Sequence, residues 1–201
     1  MSMQDFWDDV FANDRSEWVA PHPPSYFLEY LARLGNGFPE RLASARSVLD
    51  VGPGRALLLR SLPDSIAKYA VEVSEVNRES LRLAGIRTEL PASAVDLAWS
   101  VSCFPHCPDF TKTVLMRDVA DALRPGGLFF VECVEQRPGF SDAIDETIRL
   151  PAGRYVMPMS RMLELGRAHG LEPVASLGEI QFGERCPVQG YIICFQKPHE
   201  S

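Results

Sequence analysis

Short apolar runs alternate with amphipathic stretches from about residue 47 to residue 197. Runs of this kind are typical of strands that are buried on both faces of a sheet. Their alternation with helical stretches predicts an α/β domain with a mostly parallel sheet covered by helices. The strands are expected at residues 47–51, 69–73, 95–101, 128–134 and 190–196.

Helical periodicity occupies the segments between these strands. It is clearest in the third of them, where Leu115, Val119 and Leu123 are four residues apart and therefore share one helix face. The Arg-Pro-Gly-Gly sequence that follows is typical of a helix end. The helices are expected at residues 56–62, 74–85, 110–127 and 160–170.

The residues before the alternation predict two further helices. Phe6, Trp7, Val10 and Phe11 form the apolar face of a short first helix, and a second is expected from Ser25 to about Leu34. The Pro-His-Pro-Pro link between them is too rich in proline to be helical throughout. We therefore expect one domain over residues 1–201, with a helical extension at residues 1–44 and a core at residues 45–201.

Composition restricts the class of protein and its partners. The 201 residues, 46% of them apolar, suffice for one buried core. A net charge of -7 at pH 7 disfavours nucleic acid as the main partner. No run reaches the roughly 18 apolar residues of a membrane helix, and the acidic N-terminus does not resemble a signal peptide. These features predict a cytoplasmic protein that does not enter a membrane.

The cysteines do not indicate a metal site. Five are present, several of them in apolar runs, and the odd number favours reduced thiols. Cys103 and Cys107 lie close to His106, but no second ligand pair follows, and the segment lacks the carboxylates that a divalent cation requires. No metal is expected.

One motif indicates a ligand. Asp50, Gly52 and Gly54 lie directly between the first predicted strand and the next helix, where glycine lets a ligand approach the backbone. The second predicted strand carries Glu72 near its end, and a carboxylate there can accept hydrogen bonds from a ribose diol. The two features together predict a site for an adenosine-containing ligand.

An ordered set of motifs resembles the class I S-adenosylmethionine-dependent methyltransferases. The family's apolar run followed by Asp-x-Gly-x-Gly matches residues 48–54, and its second-strand acid matches Glu72. Its fourth strand and the turn after it match VDLAWSVSCFPHCPD, and its next turn and strand match LRPGGLFFVE. Its last, antiparallel strand matches GYIICFQKP. The resemblance covers about residues 45–197 and implies a Rossmann-like fold.

The resemblance also implies S-adenosylmethionine as the cofactor and assigns residues to it. The two glycines would border the methionine part, Glu72 the ribose, and the backbone around Ser100 the amino group, while Asp50 would organise the loop. The residues expected at the cofactor are Asp50, Gly52, Pro53, Gly54, Glu72, Val73, Ser100 and Val101. A nicotinamide cofactor is disfavoured, since Leu57 stands where a third glycine is usual.

The sequence departs from the family between the second strand and residue 95. The family's strand order is usually 3-2-1-4-5-7-6, so a full third strand would have to return over a path on the order of 21 Å. Residues 90–95 reach only about 17 Å when fully extended. We therefore expect a short or irregular third strand without the crossing helix, and the contact to adenine stays unassigned.

The candidates for acceptor chemistry lie outside the motif. By resemblance, His106 lies near the transferred methyl group and would act as a general base, although a purely structural histidine fits the same sequence. Trp18, Tyr26 and Tyr155 are candidates for the substrate pocket, and ordinary packing is the alternative for each.

The resulting hypothesis is an enzyme that transfers a methyl group from S-adenosylmethionine to a small molecule. Such a transfer does not always need a base, because holding the acceptor in line supplies much of the acceleration. The alternative is a cofactor-binding protein without transfer activity that acts as a regulatory or partner subunit. Ala56, in place of a further glycine, and the shortened adenine side motivate that alternative.

Overall fold

The computed structural model describes residues 2–14, 23–35, 37–137, 155–181 and 188–199. The α-helices in these ranges are Met3–Ala12 (α1), Pro24–Ala32 (α2), Phe38–Ser44 (α3), Leu57–Ser61 (α4), Glu75–Leu83 (α5), Asp109–Ala122 (α6) and Met159–Ala168 (α7). The strands are Ser47–Val51 (β1), Ala67–Val71 (β2), Val95–Ser100 (β3), Leu123–Gln136 (β4), Glu172–Gln181 (β5) and Val188–Gln196 (β6). A single 3-10 turn occupies Phe104–His106.

The described strands form one mixed sheet in the order β2-β1-β3-β4-β6-β5. β1 pairs in parallel with β2 and β3, and β3 pairs in parallel with β4. β6 runs antiparallel to both β4 and β5. This sheet confirms the predicted α/β class with its antiparallel last strand.

Apolar side chains cover the sheet on both faces. One core contains Leu115 and Met116 of α6 and Met162 of α7. The other contains Leu31 of α2 and Phe38 of α3. β1 is buried along its whole length, including the polar side chains of Ser47 and Asp50. No described helix is long and apolar enough to cross a bilayer.

The third strand of the expected topology is reduced to a single bridge. Arg87 pairs in parallel with Tyr69 of β2, its N–H donating to the Lys68 carbonyl at 2.9 Å and its carbonyl accepting from the Ala70 N–H at 2.8 Å. The sheet order is the family's usual order with this strand left out. The expectation of a shortened third-strand region is therefore confirmed, and it follows from the small number of residues before β3.

Some predicted boundaries differ from those observed. β2 begins and ends two residues earlier than residues 69–73, so Glu72 follows the strand instead of ending it. β5 had no counterpart in the apolar pattern, because it is an edge strand with two irregularities in its pairing and a mixed polar sequence. The helix that Arg-Pro-Gly-Gly was expected to stop ends at Ala122, just before that sequence. β4 begins at Leu123, five residues before the predicted strand start at residue 128.

Gly166 fixes the distance between α7 and the sheet. It is buried in the helix, and a Cβ added there would collide with the ring of Phe195, which is fully buried in β6. The helix can therefore approach the sheet only with glycine at this position.

Replacing Gly166 with alanine should destabilise the protein despite the better helix propensity of alanine. Overpacking a core costs about 1–3 kcal/mol, whereas Gly→Ala in a helix gains about 1 kcal/mol at most. Urea unfolding should show a net loss of unfolding free energy for Gly166→Ala. Glu164 is an exposed position of the same helix. The difference in unfolding free energy between Glu164→Gly and Glu164→Ala therefore measures the difference in helix propensity between glycine and alanine alone. If alanine raised the unfolding free energy over glycine by the same amount at positions 166 and 164, the predicted collision would be contradicted.

Candidate active site

The turn after β1 is held in left-handed backbone conformations. Gly52 and Gly54 have φ values of 71° and 54°, and Ala56, which caps α4, has a φ of 54°. The Gly52 N–H donates to the Val71 carbonyl at 2.9 Å and thereby ties the turn to the end of β2. Glycine adopts such conformations without strain, so the Asp-x-Gly-x-Gly pattern fixes the local path of the chain.

The carboxyl ends of β1, β2 and β3 border a cavity of about 270 Å³. Parallel strands that end at one edge bring their following loops together, which is where ligands bind in open α/β sheets. Most of the residues expected at the cofactor, together with the proposed base, line this cavity: Asp50, Gly52, Pro53, Gly54, Glu72, Val73, Val101 and His106.

The remaining predicted site residues are not among those that line the cavity. Ser100 is fully buried, and its hydroxyl donates to the Val51 carbonyl at 3.1 Å, which joins β3 to β1. Tyr26 stacks on Tyr30 with ring centroids 5.6 Å apart. The Tyr155 N–H donates to the Pro105 carbonyl at 2.7 Å. Trp18 lies outside the described residues.

Other lining residues were not singled out from the sequence as site residues. They come from the first two helices, from the segment between β3 and α6, and from α6 itself: Met3, Trp7, Phe11, Phe27, Ser102, Cys103, Cys107, Thr111 and Leu115. The sequence predicted the apolar face of α1. The structure shows in addition that part of this face lines the cavity and does not pack on the sheet. Sequence periodicity cannot distinguish these two surroundings.

Asp50 is buried at the inner end of the cavity. Burial raises the pKa of its carboxyl group to about 7, and the neighbouring Glu72 charge adds to this shift. The side chain therefore changes charge near neutral pH. A cation in the cavity would favour its ionised form.

Glu72 is oriented by two donors from the start of α5. The Ser74 N–H donates to Oε1 at 2.9 Å, and the Asn77 side-chain amide donates to Oε2 at 2.7 Å. The same Asn77 amide donates to the Gly54 carbonyl at 2.8 Å. Burial raises the pKa of Glu72, while these hydrogen bonds lower it. Asn77 thus connects the carboxylate to the glycine turn and is a positioning residue of the site.

Helix α1 covers the cavity and is attached to α5. The Ser74 hydroxyl donates to the Asp8 carboxylate at 2.6 Å, and the Val76 N–H donates to the same oxygen at 3.3 Å. Trp7 contacts His106 edge to face, with ring centroids 6.3 Å apart. Asp14, just after the helix, pairs with Arg55 in the turn after β1. These contacts hold the first helix across the ends of the strands.

A buried acid supports the loop after β3. Ser102 has a left-handed φ of 60°, and its N–H donates to Glu132 Oε2 at 2.5 Å. The Tyr30 hydroxyl of α2 donates to the other oxygen of Glu132 at 3.2 Å. Glu132 therefore connects the cavity wall to the second helix. Within the described ranges, no cluster of three His, Cys, Asp or Glu side chains is placed to hold a metal ion.

Comparisons with known proteins give matches at the level of structure. No family model matches the sequence, and no curated protein matches it. Phosphoethanolamine N-methyltransferase 2 of Haemonchus contortus matches with a TM-score of 0.74 and 16% identity, over 99% of this chain and 61% of that enzyme. The protein has the fold of the class I S-adenosylmethionine-dependent methyltransferases.

Two further structures with this methyltransferase fold extend the comparison. The 1,6-didemethyltoxoflavin-N1-methyltransferase of Burkholderia thailandensis has a TM-score of 0.63 and 18% identity, over 98% of this chain and 87% of that one. The cyclase SpnF also has a TM-score of 0.63 and 18% identity, over 87% and 81% of the two chains. Because a cyclase shares the methyltransferase fold, the reaction has to be argued from the site.

The raised pKa of Asp50 predicts a dependence of stability on pH. The unfolded carboxyl group ionises near its ordinary pKa of 3.8, whereas the folded one ionises near 7. The contribution of this carboxyl group to the free energy of unfolding is fully present below the unfolded pKa of 3.8. It is lost as the pH rises from this value to the folded pKa of about 7, by about 4 kcal/mol at most.

Asp50→Asn removes this loss. Its unfolding free energy relative to the natural protein should therefore increase between about pH 4 and pH 7 and stay level above that range. Urea unfolding of both proteins at several pH values measures the difference, from which titrating groups that do not interact with Asp50 cancel. A difference that does not vary with pH would show that Asp50 titrates normally.

Proposed function

We propose that the protein binds S-adenosylmethionine in this cavity and transfers a methyl group to a small-molecule acceptor. The observation that carries the proposal is the presence of two carboxylates, Asp50 and Glu72, on the wall of one cavity beside the left-handed glycine turn. A ligand that has both a ribose diol and a cationic centre is complementary to this arrangement.

Glu72 is the proposed partner of the ribose. An ionised carboxylate offers about four acceptor positions, and the Ser74 and Asn77 donors occupy one on each oxygen. The remaining positions can accept the two hydroxyls of a diol. Because the existing hydrogen bonds already fix the carboxylate, little side-chain freedom is lost on binding.

Asp50 is the proposed source of charge complementarity. Its pKa near 7 means that binding a cation drives the carboxyl group fully to its ionised form. Gly52, Pro53 and Gly54 line the cavity, so the turn itself would border the ligand. Val73 and Val101 supply apolar contacts on either side.

The acceptor is proposed to enter from the side of the first two helices. Trp7, Phe11 and Phe27 offer aromatic surface there, which suits both a sulfonium group and a flat acceptor. When bound, the cofactor supplies a methyl group on a neutral leaving group. The contribution of the chain is to hold the acceptor in line and to exclude water with α1, which we propose is a lid.

His106 is the proposed general base. It lines the cavity and contacts Trp7. Its imidazole can therefore take a proton from the hydroxyl, thiol or amine of an acceptor bound at that wall. The neighbouring folds support a small acceptor, since the Burkholderia structure holds 1,6-didemethyltoxoflavin with S-adenosylhomocysteine. Calorimetry with S-adenosylmethionine and S-adenosylhomocysteine tests the first step, and turnover with oxygen, nitrogen and sulfur acceptors tests the second.

Glu72→Gln should weaken the binding of S-adenosylhomocysteine about ten- to a hundredfold. The loss is that of charge-assisted hydrogen bonds worth roughly 1.5–3 kcal/mol. Titration calorimetry measures the affinity directly.

Glu75→Gln is the matched control for this variant. The same change three positions further along lies on the exposed side of α5, where Glu75 pairs with Arg78 and Arg82. Its effect on cofactor affinity should be within about twofold. Equal affinities for Glu72→Gln and the natural protein would remove Glu72 from the proposed site.

His106→Asn should lower kcat about 10²- to 10⁴-fold without weakening cofactor binding, which is the usual contribution of a general base. The difference should be largest for an acceptor whose nucleophilic atom carries a proton at neutral pH. His169→Asn, at the end of α7, is the control. If the turnover of an acceptor identified in the panel were unchanged, His106 would have a structural role only.

A further inference from the structure

Two thiols face each other on the wall of the cavity. The Sγ atoms of Cys103 and Cys107 are 4.0 Å apart, and both residues line the cavity through which a small solute reaches them. The other described cysteines, Cys133 and Cys194, are fully buried in β4 and β6. The pair is therefore set apart from the structural thiols of the sheet by its access and by its geometry.

The surroundings make the two thiols chemically unequal. The hydrogen bond between the two thiols lowers the pKa of Cys107, and the charge of Lys112 lowers it further, while burial raises it. Lys112 is fully buried, with its Nζ donating to the Tyr155 carbonyl at 2.6 Å. The pKa of Cys103 is raised by its hydrogen bond to Cys107 and by burial. Cys107 thus has the greater thiolate character, and thiolates are the reactive form.

Cys103 also contacts the glycine turn. A Cβ added to Gly52 would lie 2.5 Å from both the Cβ and the Sγ of Cys103, so this side chain rests directly on the Cα of Gly52. The position of the Cys103 sulfur therefore shapes the cavity where the turn borders it. Any reaction that moves this sulfur changes the proposed cofactor site.

We propose that Cys103 and Cys107 form a site of reversible oxidation to a disulfide, and that this oxidation and cofactor binding exclude each other. The second part rests on the proposed function. A disulfide needs sulfurs about 2.05 Å apart, so the two atoms must approach by about 2 Å. We propose that the Cys103 sulfur moves in this step and loses its contact with Gly52. A bound cofactor, in turn, covers both thiols.

The oxidant is a hydroperoxide, and the reaction balances in two steps. The Cys107 thiolate attacks one peroxide oxygen and the O–O bond breaks, so that hydrogen peroxide gives a sulfenic acid and a hydroxide ion. The hydroxide takes up the proton that the Cys107 thiol released on ionisation and becomes the first water. The Cys103 thiol then attacks the Cys107 sulfur, the S–O bond breaks, and a second water leaves with the thiol proton. Two thiols are oxidised by two electrons while one peroxide is reduced. A dithiol reverses the change by exchange.

To test this proposal, the reduced 201-residue protein is treated with hydrogen peroxide, and its free thiols are then blocked with N-ethylmaleimide. The masses of its tryptic peptides are measured by mass spectrometry. Residues 88–112 form one peptide that holds both cysteines. This peptide should be unlabelled and lighter by two hydrogens, and dithiothreitol should restore labelling. Saturating S-adenosylhomocysteine should slow the oxidation at least about tenfold, and oxidised protein should bind it at least about tenfold more weakly.

Cys107→Ser and Cys103→Ser provide the matched controls. Each is compared with itself before and after peroxide, so any effect of the substitution on basal affinity cancels. Neither variant should form the disulfide, and peroxide should leave cofactor affinity unchanged in Cys107→Ser, which lacks the thiolate that reacts first. Full labelling of both cysteines after peroxide, or a disulfide that leaves affinity unchanged, would overturn the proposal. If the reduced protein does not bind S-adenosylhomocysteine, the proposed function and the exclusion fail, while the peptide mass still decides whether the pair oxidises.

Discussion

The alignment of three parallel strands is the constraint on which the site depends. β1 lies between β2 and β3 and is buried throughout. A one-residue slip of its pairing register would move every side chain of the strand to the other face of the sheet and disturb the packing of both cores. This register brings the turn after Val51, the acid after Val71 and the loop after Ser100 to one edge of the sheet. Groups that are far apart in sequence therefore become neighbours without any specific contact between them being needed first.

Hydrogen bonds that begin at α5 then refine this arrangement. The residues at its start form hydrogen bonds both to the turn after β1 and to α1. Asn77 connects Glu72 to the glycine turn, and Ser74 donates a hydrogen bond to Asp8 of α1. One helix end thus positions the floor and the cover of the cavity together. Desolvation of Asp50 is tolerated at this point because the carboxyl group can stay protonated near neutral pH.

The sequence was sufficient for the fold and for the turn, because both depend on local pattern and chain length. The apolar runs located most strands, and the few residues before Val95 predicted that no full third strand could form. The apolar pattern did not locate β5, because an irregular edge strand lacks a clear pattern, although the family's strand order implies a strand at this place. The cavity wall was only partly predictable: Phe27 and Cys103 face it through tertiary packing, whereas Tyr26, a neighbour in sequence of the former, points elsewhere.

The link from Tyr30 through Glu132 to Ser102 has a consequence for how the chain can be divided. A carboxylate in the centre of the sheet takes one of its partners from the second helix, more than a hundred positions earlier. A shortened version lacking the first forty-four residues would deprive this acid of the tyrosine hydroxyl and uncover the apolar surface above it. The described residues of α2 and α3 therefore contribute both a hydrogen bond and apolar packing to the strands that they cover.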